Sequence, residues 1–250
     1  MTPSATKIDV VHVVVPARNE EALLPRCLDS IEVAGSLLQA EQPDIEISVC
    51  VVLDGCTDRS EELVRQRPSI RGLTIDSCSA GAARRHGLDD VARRTPRRSR
   101  HTTWVANTDA DTLVPPHWLT AQVALAAAGI QLVVGTVVPD ADDLAAAVLA
   151  EWWARHDLGE SHPHVHGANL GFTLGAYLTV GGYRSVREHE DVTLVRALRD
   201  AGVPWRATDT TRVLTSGRRS DRTPGGFGRY LHHLARATTV GGIAATGAPS

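Results

Sequence analysis

The chain predicts an α/β fold with a mostly parallel central sheet and helices on both faces, and three observations carry that prediction. Runs rich in Val and Ile alternate with helical patterns from the start. The runs are apolar almost throughout rather than at every second residue, as in strands covered on both faces. Polar clusters follow three of these runs, at 16–20, 54–58 and 107–111, where open parallel sheets bind ligands.

Taken in order, residues 9–15 (DVVHVVV) read as the first strand, and Pro16-Ala17-Arg18-Asn19 turns the chain into a helix at about 20–38. Residues 46–53 form a second strand, and Asp54-Gly55-Cys56-Thr57-Asp58 leads into a helix ending near Arg67. A short strand at 71–76 and a helix at 80–94 follow. Two more strands are expected at 102–106 and 130–138, with a helix at 116–128 between them opening on Pro115-Pro116, since proline suits a first helical turn. LAAAVLAEWWARH, 144–156, is a strong helix former. Beyond about residue 160 the rhythm changes. The glycine-rich GANLGFTLGAYLTVGGY has only short apolar pieces, followed by a helix at 189–201 and short strands at 203–208 and 212–214. A polar loop then precedes a basic helix from Phe227 to about Val240, and 241–250 read as a disordered tail.

With 250 residues and 42% hydrophobic content, the chain can bury a full core as one domain. Its 26 basic and 29 acidic residues give a formal charge of −3, so there is no global pull toward nucleic acid. No apolar run approaches the roughly 20 residues that span a bilayer. MTPSATKIDV lacks the layout of a signal peptide, and a cytoplasmic protein is expected. Cys27, Cys50, Cys56 and Cys78 show no paired spacing; Cys27 and Cys50 lie in apolar contexts and read as small hydrophobes.

The triplet Asp109-Ala110-Asp111 directly follows the expected strand at 102–106. Two carboxylates one residue apart at a sheet mouth can hold a hard divalent cation whose open positions take a diphosphate. With 18 Asp in the chain, about one such spacing arises by chance, and Asp140-Ala141-Asp142 is a second copy. That copy, with Asp143, precedes a helix former, where acids accept orphan N–H groups and oppose the dipole. Asp54 follows CVVL directly, where it can accept from a nucleobase or ribose or form an Asx-turn; Asp58 reads as an N-cap. Glu190-Asp191 opens a helix, where first-turn acids are ordinary. Asn169, in Gly167-Ala168-Asn169, can face a sugar hydroxyl or satisfy backbone. His162, His164 and His166 share one face if extended, but imidazole suits zinc rather than the hard ion that diphosphate chemistry wants. Trp152 and Trp153 can stack on a sugar ring or cover the sheet, with at least one expected in the core.

Together these clusters resemble family 2 glycosyltransferases over roughly 10–230, through VVVPARNEE, VVLDGCTD, AGAARRHGL, NTDADT, GANLGF with VGGY, and HEDVTLVRALRDAG in order. The resemblance implies a GT-A type nucleotide-diphospho-sugar transferase fold. It implies a single domain at 1–240, with a nucleotide-binding half at 8–114 and an acceptor-binding half at 115–240. Pro16, Ala17 and Glu20 then match the loop against the nucleoside, and Asp54 the acid that reads the base, with Leu53 where a further acid is common. Arg84 matches an arginine near the nucleotide, with Arg85 in place of the usual Asn. Asp109 matches the ribose contact, Asp111 the metal contact and Asp191 the general base, with Glu188 in reserve. Gly167, Ala168, Asn169 and Glu190 fall on the acceptor side. Arg218-Arg219 lies where a loop often closes over the donor.

The implied chemistry needs these types. A carboxylate-held Mn²⁺ or Mg²⁺ neutralises the leaving diphosphate, and a carboxylate takes the acceptor proton. One such carboxylate gives inversion; a double displacement needs a second on the opposite face, which the sequence does not identify. The expected donor is a UDP- or GDP-sugar and the acceptor is open. With no expected transmembrane segment, a membrane contact could only be peripheral, through Arg229, His232, His233 and Arg236. The alternatives are a catalytically idle sugar-nucleotide-binding scaffold and a sugar nucleotidyltransferase, whose glycine-rich first loop VPARNEE lacks. No GxGxxG follows the first strand, against a Rossmann dehydrogenase.

Overall fold

In the computed structural model, which describes residues 6–184, 188–218 and 226–245 (the side chains of 239–245 excepted), β1 (Val10–Ala17) is buried from Val11 onward. Its side chains alternate between two cores. Val11, Val13 and Val15 pack in the cluster that includes α1 (Leu24–Glu41) and α4 (Trp118–Ala127). Val14 packs in the cluster that includes α3 (Ala80–Arg94). Each such valine contributes about 1.5–3 kcal/mol of burial, which is why the run reads as continuously apolar.

β1 pairs in parallel with β2 (Glu46–Asp54) and β4 (Thr103–Asn107), and β2 with β3 (Ile70–Ile75). This expected parallel half sends the loops after β1, β2 and β4 out at one edge. The second half is mixed. β6 (Leu132–Pro139) and β8 (Trp205–Thr215) are parallel, but β7 (Leu170–Thr173) runs antiparallel between β4 and β6. The two-residue β5 (Thr112–Leu113) lies antiparallel on β8, giving the order β3-β2-β1-β4-β7-β6-β8-β5.

Both short strands were hidden for physical reasons. β7 includes Gly171, over which Trp104 and Gln122 close so tightly that a Cβ would collide with both. Such a glycine marks close approach rather than a turn. The strands expected separately at 203–208 and 212–214 are one, β8, with a register shift opposite Gly135–Val137. Its polar stretch pairs Asp209 with Arg212 instead of ending the strand.

The remaining helices are α2 (Ser60–Arg65), α5 (Ala146–Arg155), α6 (Leu174–Thr179), α7 (Glu190–Asp200) and α8 (Phe227–Ala245). α3 has the expected bounds, with Ser79 accepting from the Ala82 N–H as N-cap. Asp140, Asp142 and Asp143 sit at a 3-10 turn (Ala141–Asp143) rather than in the first turn of α5. Asp140 accepts from the Asp142 N–H, while Asp143 accepts from Ser216 Oγ and the Gly217 N–H. α8 extends through 241–245, expected as tail, because Ile243-Ala244-Ala245 favours helix enough to carry past two glycines at about 1 kcal/mol each; 246–250 lie outside the described residues. α5 and α8 pack a third core around Trp152, Leu231 and Leu234, while Trp153 remains exposed. No helix among the described residues is long and apolar enough to cross a membrane.

His12 sits among the β1 valines and shares a hydrogen bond with Ser48. Burial, reinforced by the Arg94 charge, pushes its pKa down to about 4. The folded state therefore refuses a proton that the unfolded chain accepts near 6.5, so stability is lost as pH falls from about 6.5 toward 4. The expected slope is up to about 1.4 kcal/mol per pH unit from this group. Urea midpoints between pH 4 and 7 should show a shallower acid loss in His12→Gln; an unchanged slope would assign the loss elsewhere.

Candidate active site

A cavity of about 510 Å³ opens at the edge where the loops after β1 and β4 meet α3, α7 and the loop after β8. Glu20, Arg84, Asp109, Asp111, Glu190 and Asp191 line it, joined by Gly167 and Ala168. Most of the expected site residues thus converge, although they run from Glu20 to Asp191 along the chain.

Arg84 projects from α3 and is 4% exposed. One guanidinium nitrogen donates to Asp109 and another to Glu190, bridging the end of β4 to the start of α7. Burial alone would lower the arginine's pKa, but Asp109, Glu190 and Asp191 outweigh it and hold the guanidinium firmly protonated. Two glycines make the room. A Cβ on Gly167 would come within 2.6 Å of the guanidinium carbon, and one on Gly81 within 2.8 Å of the Glu190 side chain.

A second guanidinium holds the neighbouring acids of this cluster. Arg218 Nη2 donates to both Glu20 oxygens at 2.6 Å and to Asp111 Oδ2 at 3.1 Å. Arg219 lies outside the described residues. Burial, then the neighbouring charges of Asp109 and Glu20, push Asp111 up to about 6 despite Arg218. Three carboxylates crowded this way would be relieved by a divalent cation, and their hard oxygens suit Mg²⁺ or Mn²⁺. Among the described residues no group of three His, Cys, Asp or Glu side chains could hold a metal by itself. The fit is to a cation held by one or two carboxylates and completed by substrate phosphates and water. The alternating histidines form no such group either; their rings stack in a row, His162 to His164 at 5.8 Å and His164 to His166 at 6.4 Å.

Asp191 is aimed by backbone. Oδ2 accepts from the Gly167 N–H at 2.7 Å and Oδ1 from the Val192 N–H at 2.8 Å, leaving each oxygen a further lone pair. The preceding His189 adopts φ +59°, a left-handed conformation that starts α7 and presents Glu190 and Asp191 to the cavity. Glu188 lines the same wall.

Four expected site residues do not reach the cavity. Asp54 is 2% exposed, and its carboxylate accepts three backbone N–H bonds, from Ser77, Cys78 and Ser79 at 2.6–2.8 Å. It fixes the loop entering α3. Pro16 and Ala17 are buried in β1, where the Ala17 carbonyl accepts from the Cys56 thiol. Asn169 is 1% exposed and fully engaged. It accepts from Trp118 Nε1 at 2.9 Å and donates to the Thr136 and Thr211 carbonyls, tying α4, β6 and β8 together. Asp58 accepts from the Ser60 and Glu21 N–H groups, linking α2 to the loop before α1. Gly181 and Gly182, at φ +78° and +71°, form the turn after α6.

The sequence reading missed one wall. Phe227 and Tyr230 of α8 and His156 after α5 line the cavity beside His166. The signal was available, since WWARH and FGRY are its only dense aromatic pieces, but nothing local joins them.

The family model described as Glycosyl transferase family 2 matches residues 12–177. No curated protein matches the chain. Among solved structures, mannosyltransferase PcManGT from Pyrobaculum calidifontis, in complex with GDP-Man and Mn²⁺, aligns with TM-score 0.61 at 19% identity, over 99% of this chain and 78% of that one. Glucosyl-3-phosphoglycerate synthase from Mycobacterium tuberculosis, in complex with Mn²⁺, UDP and phosphoglyceric acid, aligns at 0.56 and 18%, over 97% and 80%. S. aureus TarS 1–349 aligns at 0.56 and 13%, over 92% and 64%, so this chain spans less than two thirds of that one. The similarity establishes the GT-A fold.

Truncating Asn169 to Ala should strand the Trp118 donor and two buried carbonyls, at about 1–3 kcal/mol for each group left unpaired. Equilibrium denaturation measures it; a loss below 1 kcal/mol would mean that water enters and replaces the side chain.

Proposed function

The chain belongs to glycosyl transferase family 2, and on that premise we propose that it transfers a hexosyl group from a UDP- or GDP-sugar to an acceptor hydroxyl, with inversion. The observation that carries this reading is the convergence of Asp109, Asp111 and Asp191 on one cavity, with Arg84 and Arg218 holding the acids around them. An idle binding protein has no need of a carboxylate aimed by two backbone N–H groups at the cavity, as Asp191 is.

In this reading Asp109 contacts the ribose, and Asp111 would hold Mn²⁺ or Mg²⁺, which would neutralise the charge developing on the diphosphate. Arg218 stands at the same acids, where its guanidinium can pair with a phosphate oxygen. Glu190 is committed to Arg84 and serves as a positioning residue. Asp191 then accepts the acceptor hydroxyl's proton as that oxygen bonds to the sugar's anomeric carbon. The bond from that carbon to the β-phosphate oxygen breaks, and its electron pair leaves with the diphosphate. With Asp191 acting as base and no covalent glycosyl intermediate, this reading is a single displacement with inversion. A peripheral membrane contact has only exposed Arg229, His233 and Arg236 of α8 to support it, and is not part of the proposal.

Melting temperatures with UDP, GDP, TDP and CDP, each with Mn²⁺ or chelator, test the donor half. One nucleotide at a hundredfold excess over Kd should add about 2.7 kcal/mol, only with metal, and Asp111→Ala should abolish that shift. No shift in the wild type would remove the transferase reading. Asp191→Asn should keep the nucleotide shift yet lower kcat about 10²–10⁴-fold; full activity in that variant would exclude it as the base.

A further inference from the structure

The two ends of the cavity differ in chemistry. At one end, among the described residues, six carboxylates stand against two guanidiniums: Glu20, Asp109, Asp111, Glu188, Glu190 and Asp191 against Arg84 and Arg218. Both arginines are already ion-paired within this set. The other end is a wall of rings. His166 meets Phe227 edge-on at 5.9 Å, Phe227 lies 6.5 Å from Tyr230, and Tyr230 meets His156 edge-on at 5.5 Å. His156 in turn stacks flat on buried Trp152 at 4.2 Å. The wall is backed by its own small core between α5 and α8, so it is a built surface rather than loose loop side chains. Phe227 and Tyr230 remain half-buried, with face area left for a ligand.

Charge decides what such a wall can take. A nucleotide-diphospho-sugar brings its own negative charge to the acidic end. A second anion at the ring wall would then face the carboxylates of Glu190 and Asp191 as well. Burial lowers the pKa of both His156 and His166, leaving neutral imidazoles that can donate to or accept from a hydroxyl but cannot bind an anion as cations.

We propose that Phe227, Tyr230, His156 and His166 form the acceptor subsite, and that the acceptor is an uncharged glycoside or polyol ring. Its apolar face stacks on Phe227 and Tyr230, its hydroxyls meet the two imidazoles, and one hydroxyl reaches Asp191 beside Gly167. This rests on the transferase reading and deepens it. Each ring removed takes apolar contact from the sugar face, so the expected effect is a severalfold loss of affinity rather than abolition.

The test is ligand-observed saturation-transfer NMR on the full chain, loaded with diamagnetic Mg²⁺ and whichever nucleoside diphosphate raises its melting temperature. Methyl and octyl glycosides and cellobiose are compared with 3-phosphoglycerate and polyprenyl phosphate. Saturation of the neutral glycosides, weakened about 3- to 10-fold in affinity by Phe227→Ala or Tyr230→Ala and largely restored in Tyr230→Phe, is the expected result. Each variant's nucleotide-induced melting shift reports that its fold and donor end are intact. Preference for either phosphorylated compound, or neutral binding indifferent to both alanine variants, would overturn the inference while leaving the transferase reading standing. Failure of every nucleotide to stabilise the wild type would instead remove both.

Discussion

The buried Arg84 guanidinium is the constraint on which the site depends. An arginine at this depth is tolerable only when its charge is answered on the spot, and breaking such a pair typically costs 3–5 kcal/mol. Asp109 from the end of β4 and Glu190 from the start of α7 supply that answer. In doing so they pin the parallel half of the sheet to the helix that carries Asp191. Gly167 lies flat against the guanidinium because it has no Cβ, and its N–H then aims the Asp191 carboxylate. One ion bridge thus sets the distance between Asp109 after β4 and Asp191 on α7.

The sheet supports this bridge through buried polar ties as well as apolar packing. Trp104 donates to Gln122, Trp118 donates to Asn169, and Asn169 spans to β6 and β8. Each bond satisfies a group that burial would otherwise penalise. The same economy explains Asp54, whose oxygens hold three N–H groups of the loop entering α3 and so orient the helix that presents Arg84. Its contribution to the site is indirect but physical, because that loop sets where α3 begins.

Much of this was legible in the chain. The runs that became β1, β2, β4 and β6 were apolar enough to be recognised alone, and α3 has the bounds its pattern implied. The acids at 109, 111, 190 and 191 were also identified, and they do share a cavity. The expected site residues that lie outside the cavity have a common form. Asp54 and Asn169 are polar residues at strand or turn boundaries, where a carboxylate or amide accepts as readily from a buried N–H as from a ligand. Nothing in VVLDG or GANLG distinguishes the two. β5 and β7 escaped because two- and four-residue strands show no period, and glycine in β7 resembles a turn.

What the sequence determined by itself was the parallel half of the sheet and the types of side chain offered at its edge, because buried strands and helix caps depend on neighbours within a few positions. What the tertiary structure decided was which of those side chains face the cavity. The Arg84 bridge joins residues 25 and 106 positions apart, the Arg218 contact reaches back 198, and the aromatic wall draws on α5, α8 and the segment before β7. Whether an acid answers a backbone amide, an arginine or a substrate is fixed by what the fold packs against it, and charge and burial act over distance in space, not along the chain.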